Sequence, residues 1–470
     1  VTDRAMETGA DRASTLRSWG LLMVVCGALF LEGIDIAMLN VAVPVIAADV
    51  GLTAGTAHWV ISAYVLGYAG FMLLGGRTAD LAGRRRVFLL ALVIFVAFSV
   101  LGGLATADWV LVLARFATGV SAGFLTPAGF GIVVTTFPEG PLRDRALVVY
   151  GSVGAAGFVL GTVAGGVLAS ASWRLVFFGP AVLGLVLLVA GARLIRPDEH
   201  DGPPGGFDVA GALTATAGMV AVVYAVITVG EGGALGAAVL VVGAAVVLLG
   251  AFVAIESRHS SPLLRLGMLR EGLLLHASLA GLLFMGAFFG FQFAVTLYLQ
   301  DLRGWSPLEA GLTFAIMGLD LVAAPLLTPS LVRRFGAARV MTAGLVAAAV
   351  AFGRLLGLGN DWSYVDFLPS LLLVAAAFAL VYGPLTSLAA EGVPEAEQGS
   401  AGGVVYTAFQ FGGALGLAGV TVALGAGHAD GAALGDYQRA LVVPTLAAVA
   451  AAVVGVLAVV RRRERTTSPG

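Results

Sequence analysis

Glu32 and Asp35 stand three residues apart inside one apolar run, Arg115 interrupts a second, and Asp320 lies inside a third. An ionisable side chain at the middle of a bilayer costs about 2.5–3.5 kcal/mol on insertion scales, so each of the four needs a reason. Residues at i and i+3 share one helix face. Glu32 and Asp35 therefore compete for ionisation, and such a pair can take up a proton and give it back. That is the chemistry of proton coupling. Arg115 is expected to face a cavity or a carboxylate. Asp320 has no basic residue within a helical turn and is read as a site for substrate or proton. In the second half, Gln292 and Gln410 are the other polar side chains singled out within spans. The competing reading of each is structural: a buried, hydrogen-bonded carboxyl or a plain salt bridge.

These residues are carried on membrane helices. The 470-residue chain is 59% hydrophobic and 11% charged, with a mean hydropathy of +0.98, which excludes a soluble globular domain. Repeated runs of about twenty apolar residues match the ~30 Å of hydrocarbon that a helix must cross. The runs number fourteen, and most of the 26 basic residues, all Arg, fall on one side if the amino terminus is inside. Both termini are then cytoplasmic. The expected layout is a tail at 1–18, a six-helix bundle at 19–195, and a linker at 196–208. Two inserted helices follow at 209–256, an interfacial linker at 257–272, a second six-helix bundle at 273–460, and a tail at 461–470. A net charge of −2 gives no case for nucleic-acid binding. One cysteine, Cys26, excludes an intramolecular disulfide and a cysteine-based metal site. With no His/Glu metal cluster, no phosphate-binding Gly-Lys loop and no sizeable soluble domain, an enzyme is not expected.

Two stretches punctuate the helices. Gly76-Arg-Thr-Ala-Asp80-Leu-Ala-Gly83-Arg84-Arg85-Arg86 is a compact charged turn between two apolar runs. Glycine lets the chain turn there. The stretch from Pro329 to Arg339 is a degenerate echo, with Gly336 in register with Gly83. Further along, Gly157, Gly161, Gly165 and Gly166 form a small-residue ladder suited to close helix packing. Phe71, Phe288, Phe289, Phe291, Phe293 and Tyr298 could line a cavity for aromatic cargo, but at helical spacing most are expected to face lipid.

The charged turn resembles the signature loop of the major facilitator superfamily, between its second and third helices. Gly76, Asp80, Gly83, Arg84 and Arg85 carry the likeness, which implies a part in switching between inward- and outward-open states. Asp35, Asn40, Ala42 and Pro44 resemble the first-helix motif of the family's fourteen-helix drug:proton antiporter branch. Ala37 stands where that motif usually has Thr. Arg115, Gly119 and Gly123 resemble the fourth-helix arginine motif, associated with proton transfer. The glycine ladder resembles the antiporter motif, with Thr162 at a position usually Pro. Gln410, Gly412, Gly413 and Gly416 resemble the thirteenth-helix motif, with Phe409 in place of a usual Arg. The resemblance implies an all-α fold of two six-helix bundles with two extra helices between them, in the plasma membrane and monomeric. It implies proton-driven export of hydrophobic or cationic small molecules, such as drugs or antibiotics, with no cofactor. Asn40 would join Glu32, Asp35, Arg115, Asp320, Gln292 and Gln410 at the cavity. The alternative is a carrier of one metabolite within the same fold.

Overall fold

The computed structural model describes residues 2–52, 54–57, 59–137, 141–196, 208–230, 235–258, 266–270, 273–393, 398–425 and 433–467. Among them there is helix and no strand. In hydrocarbon each backbone N–H and C=O must be satisfied within the segment, and an apolar helix does that. The first half contains α1 (Thr2–Val50), α2 (Ala54–Ala57), α3 (Trp59–Ala82), α4 (Arg84–Gly103), α5 (Asp108–Thr136), α6 (Pro141–Ala171) and α7 (Leu175–Leu194). Next come α8 (Val209–Gly230) and α9 (Leu235–Glu256). The second half contains α10 (Leu274–Leu297), α11 (Pro307–Ala315), α12 (Asp320–Phe335), α13 (Ala337–Leu355), α14 (Tyr364–Ala390), α15 (Gln398–Leu424) and α16 (Leu434–Thr467). Among the described residues, eleven helical stretches are long and apolar enough to cross a membrane, and Trp59–Met72, Ala156–Ala171 and Ala210–Val222 are shorter apolar helices. This is a multi-pass membrane protein. The linker at 197–207 and residues 259–265 and 271–272 lie outside the described residues; a 3-10 turn spans Leu266–Arg270.

Local sequence sets several of the helix ends. Gly83 separates α3 from α4 with φ 97°, and Gly336 separates α12 from α13 with φ 84°. A side chain rarely adopts that backbone conformation, so the register noted between the two turns is a structural one. α11 begins with a capping box, Ser306 and Glu309, and has Pro307 at its first position.

The two halves pack alike. In the first, α1 lies on α6, α3 on α5 and α4 on α7; in the second, α10 lies on α15, α12 on α14 and α13 on α16. The halves meet where α6 touches α11 and where α3 touches α15, with α1 reaching α10. α8 packs against α9 and lies on both α3 and α15, tied to α3 by a hydrogen bond from Thr216 Oγ1 to the Gly70 carbonyl.

Candidate functional site

The site is built from α1 outward. Gly157, Gly161 and Gly165 bring α6 against α1: a Cβ at Gly161 would stand 2.6 Å from Ile34 Cα, and one at Gly165 2.6 Å from Met38 Cα. Only hydrogen fits at such approaches. Gly166 turns to the other half, where a Cβ would lie 2.6 Å from the Pro307 carbonyl oxygen. α1 is thereby fixed beside α5, and Glu32, Asp35 and Asn40 are all buried.

Arg115, 1% exposed on α5, donates from Nη1 to Asp35 Oδ2 at 2.6 Å. Its Nε donates to the Val60 carbonyl at 3.0 Å, and its guanidinium lies 4.3 Å from the Tyr64 ring centroid. The arginine inside a span thus meets a carboxylate. Removing two charges from water costs several kcal/mol per ion, so a buried pair persists only with further bonds and contacts of this kind. Asp35 Oδ1 and Arg115 Nη2 keep no protein partner. Each member of the pair therefore has one polar atom to offer a ligand or a proton.

Glu32 does not share that partner. Its Oε2 accepts from Tyr68 OH at 2.7 Å and from Thr126 Oγ1 at 2.6 Å, and the two hydroxyls stand 2.5 Å apart. Oε1 has no protein partner. The two acids of α1 occupy adjacent but separate clusters, one ionic and one built of hydroxyls.

Asn40 links the halves: its Nδ2 donates to Gln292 Oε1 at 2.9 Å. Eight residues after Gln292, Gln300 Nε2 donates to the carbonyl of Val41, the residue after Asn40, at 2.8 Å. Asn40 Oδ1 and Gln292 Nε2 are left without a protein partner. An acceptor and a donor therefore sit side by side between the halves, able to read a polar group on a ligand.

Asp320 stands apart from these clusters. It opens α12 directly after a 3-10 turn, Ile316–Leu319, that breaks the tenth apolar run, and its Oδ1 has no protein partner. Gln410 is half-buried on α15. Next to it Phe409 packs against Tyr382 and Tyr406, each at 5.7 Å between ring centroids, and the two tyrosine hydroxyls bond at 3.0 Å.

The aromatic residues of α10 correct an expectation. Phe288, Phe289, Phe291, Phe293 and Tyr298 do not face lipid; all five are buried. α10 is surrounded by α14, α15 and α16, and a helix that is apolar all round is a core helix. Phe288 and Phe289 meet Phe158 of α6 at 5.3 and 5.8 Å, so they stand on the surface shared by the halves. Phe71 is half-buried against Phe116 at 6.1 Å.

At the charged turn, Arg84 Nη1 donates to the Gly131 carbonyl at 3.2 Å and Arg85 Nη2 to the Ala192 carbonyl at 2.9 Å. These bonds tie the start of α4 to α5 and α7. A Cβ at Gly76 would rest 3.5 Å from Pro127 of α5. The Asp80 side chain lies outside the described residues.

Tyr64, Tyr68 and Thr126 are site residues that sequence reasoning missed. One signal was present: Tyr64 and Tyr68 are four apart in an apolar run, which puts two hydroxyls on one helix face.

The model of the Major Facilitator Superfamily matches residues 25–417. A puromycin resistance protein of Streptomyces alboniger is 35% identical over 424 residues, covering 88% of this chain and 83% of that protein. A cephamycin export protein of Amycolatopsis lactamdurans is 34% identical over 429 residues, covering 90% and 88%. The crystal structure of an auto-inhibited peptide transporter of the POT family superposes with a TM-score of 0.68 at 16% identity, covering 94% of this chain and 96% of that one.

Proposed function

The chain belongs to the Major Facilitator Superfamily, and from that premise we propose that it is a proton-driven exporter of hydrophobic or cationic small molecules, drugs or antibiotics among them. The observation that carries this reading is the fully buried Arg115–Asp35 pair beside Glu32, with open polar atoms on both acids. A cation or a proton can compete with Arg115 for Asp35, and that competition is what couples two fluxes. Glu32, in its hydroxyl cluster, is a second proton site. Asn40, Gln292, Gln410 and Asp320 contribute polar contacts around an otherwise apolar cavity. Resistance and export relatives support the direction of transport.

The mechanism is alternating access: the bundles at 19–195 and 273–460 rock about the site between them. The repeated helix pairings in the two halves support it. The charged turn at Gly76, Asp80, Gly83, Arg84 and Arg85 braces the first bundle during the switch. Gly157, Gly161 and Gly165 keep α6 seated on α1 while Gly166 lets it slide on α11. The eleven spans, taken with the three shorter apolar helices, support a count of fourteen. An even count with an arginine-rich inner side would leave both termini in the cytoplasm. No cofactor takes part beyond the proton gradient, and the carrier acts as a monomer in the plasma membrane.

Everted membrane vesicles test the proposal. An imposed proton gradient should drive movement of a lipophilic cation dye, collapse of the gradient should stop it, and Asp35→Asn should abolish it. Transport by Asp35→Asn equal to wild type would remove Asp35 from coupling. A lack of gradient-driven movement for any lipophilic probe would favour the metabolite carrier.

A further inference from the structure

On the outer surface of the second half, α13 and α16 leave a groove of about 510 Å³ between them. Val346 and Val350 of α13 and Val449, Val453 and Leu457 of α16 form its walls, with Ala452 between them. The five wall side chains are exposed. The two helices are packed together at their arginine-bearing ends. A Cβ at Gly455 would stand 2.9 Å from Thr342 Oγ1, and one at Gly336 3.4 Å from Arg462 Nη1. Arg339 lies in the first turn of α13 and Arg461 is four residues beyond Leu457, so both residues stand at the same end of the groove, with Arg461 also near His276 of α10. Both are exposed, and Arg333 and Arg334 at the end of α12 are exposed nearby in sequence. At 1.5 Å per residue, the apolar walls of α16 run from about 6 Å to about 18 Å away from Arg461. That matches the depth of a single leaflet, about half of a 30 Å core.

In the equivalent helix pair of the first half, α4 with α7, Arg86 stands in register with Arg339 and is likewise exposed, as is Arg193. Arg84 and Arg85 turn inward onto the Gly131 and Ala192 carbonyls.

We propose that this groove binds one anionic phospholipid, an acyl chain lying between α13 and α16 and the headgroup phosphate held by Arg339 and Arg461. The valine walls accept any acyl chain, so they select nothing. Charge does: a basic mouth on a membrane helix pair attracts an anionic headgroup, and the guanidinium fork suits phosphate oxygens. Chain and phosphate belong to one molecule only if it is a lipid.

The test is native mass spectrometry of detergent-purified protein titrated separately with dioleoyl phosphatidylglycerol and dioleoyl phosphatidylcholine. Wild type is expected to retain the anionic lipid selectively. The exposed-site variant Arg339→Gln/Arg461→Gln should bind it about thirtyfold more weakly, and Ala452→Phe, which fills the groove, should lose it while still eluting as a monodisperse species. Glycerol phosphate should not displace it. Equal retention of the two lipids overturns the proposal, as does unchanged binding in the arginine variant. Unchanged binding in Ala452→Phe overturns the groove as the chain site. If Ala452→Phe aggregates, the arginine variant alone decides. Displacement by glycerol phosphate would show an anion site that holds no lipid chain.

Discussion

The two halves share their helix pairings and differ in what those pairings enclose. Around α1, the first half buries Glu32, Asp35 and Arg115 with the hydroxyls of Tyr68 and Thr126. Around α10, which packs on α15 as α1 packs on α6, the second half buries Phe288, Phe289, Phe291 and Phe293 with a single amide, Gln292, among them. Around α1 the chain buries an ion pair beside a second carboxyl, and around α10 it presents an apolar, aromatic wall. Asn40 and Gln292 meet where the two surfaces face each other. On the proposed function, this difference would separate coupling from cargo, with proton chemistry kept in one half and the shape of the cargo read by the other.

Breaking the ionic side should have the largest effect. Arg115→Met leaves Asp35 buried without a partner, and we expect transport to vanish and stability to fall by about 3–5 kcal/mol. Asp35→Asn/Arg115→Met should regain most of that stability in thermal unfolding while remaining inactive. A double variant as unstable as the single one would mean that the pair is not what α1 and α5 are arranged around. On the aromatic side, Phe288→Ala should cost about 3 kcal/mol. It should also raise the apparent KM for aromatic cargo, with gradient dependence intact. Loss of gradient dependence in that variant would erase the division between the halves.

A smaller contrast lies in the glycines. Gly161→Ala forces a methyl onto Ile34 and should cost about 1–3 kcal/mol, together with transport, because α1 carries Asp35. Gly383→Ala of α14 has nothing within 4 Å of the new Cβ and should match wild type in both assays. Smallest of all, Gln292→Leu/Asn40→Leu removes the side-chain hydrogen bond between the halves. About 1 kcal/mol is expected, read as a shift in spin-label distances across the interface. Unchanged distances would detach that bond from the movement of the halves.

Several of these features were legible in the chain. The in-register glycines Gly83 and Gly336 stand at left-handed turns, because only a residue without a side chain tolerates that backbone. Arg115 had to find a carboxylate, since a lone buried cation is too costly; which one it chose is a matter of tertiary placement, 80 residues away. Tyr68 and Thr126 stayed hidden for the same reason, meeting Glu32 across separations of 36 and 94 residues. The direction of the α10 aromatics was unreadable from its pattern. In a soluble helix an apolar stripe marks the buried face, but in a membrane both lipid and core accept phenylalanine, and only the neighbours of α10 decide.

The central claim is that Asp35 exchanges a proton for cargo. The most direct measurement is proton release on ligand binding, followed with an indicator dye in weakly buffered detergent solution as a lipophilic cation is added. At a pH acidic enough to protonate Asp35 and free it from Arg115, wild type should release protons in proportion to the cation bound, and Asp35→Asn should show no such release. Equal release from both proteins would contradict the account and place the exchanging proton on another group.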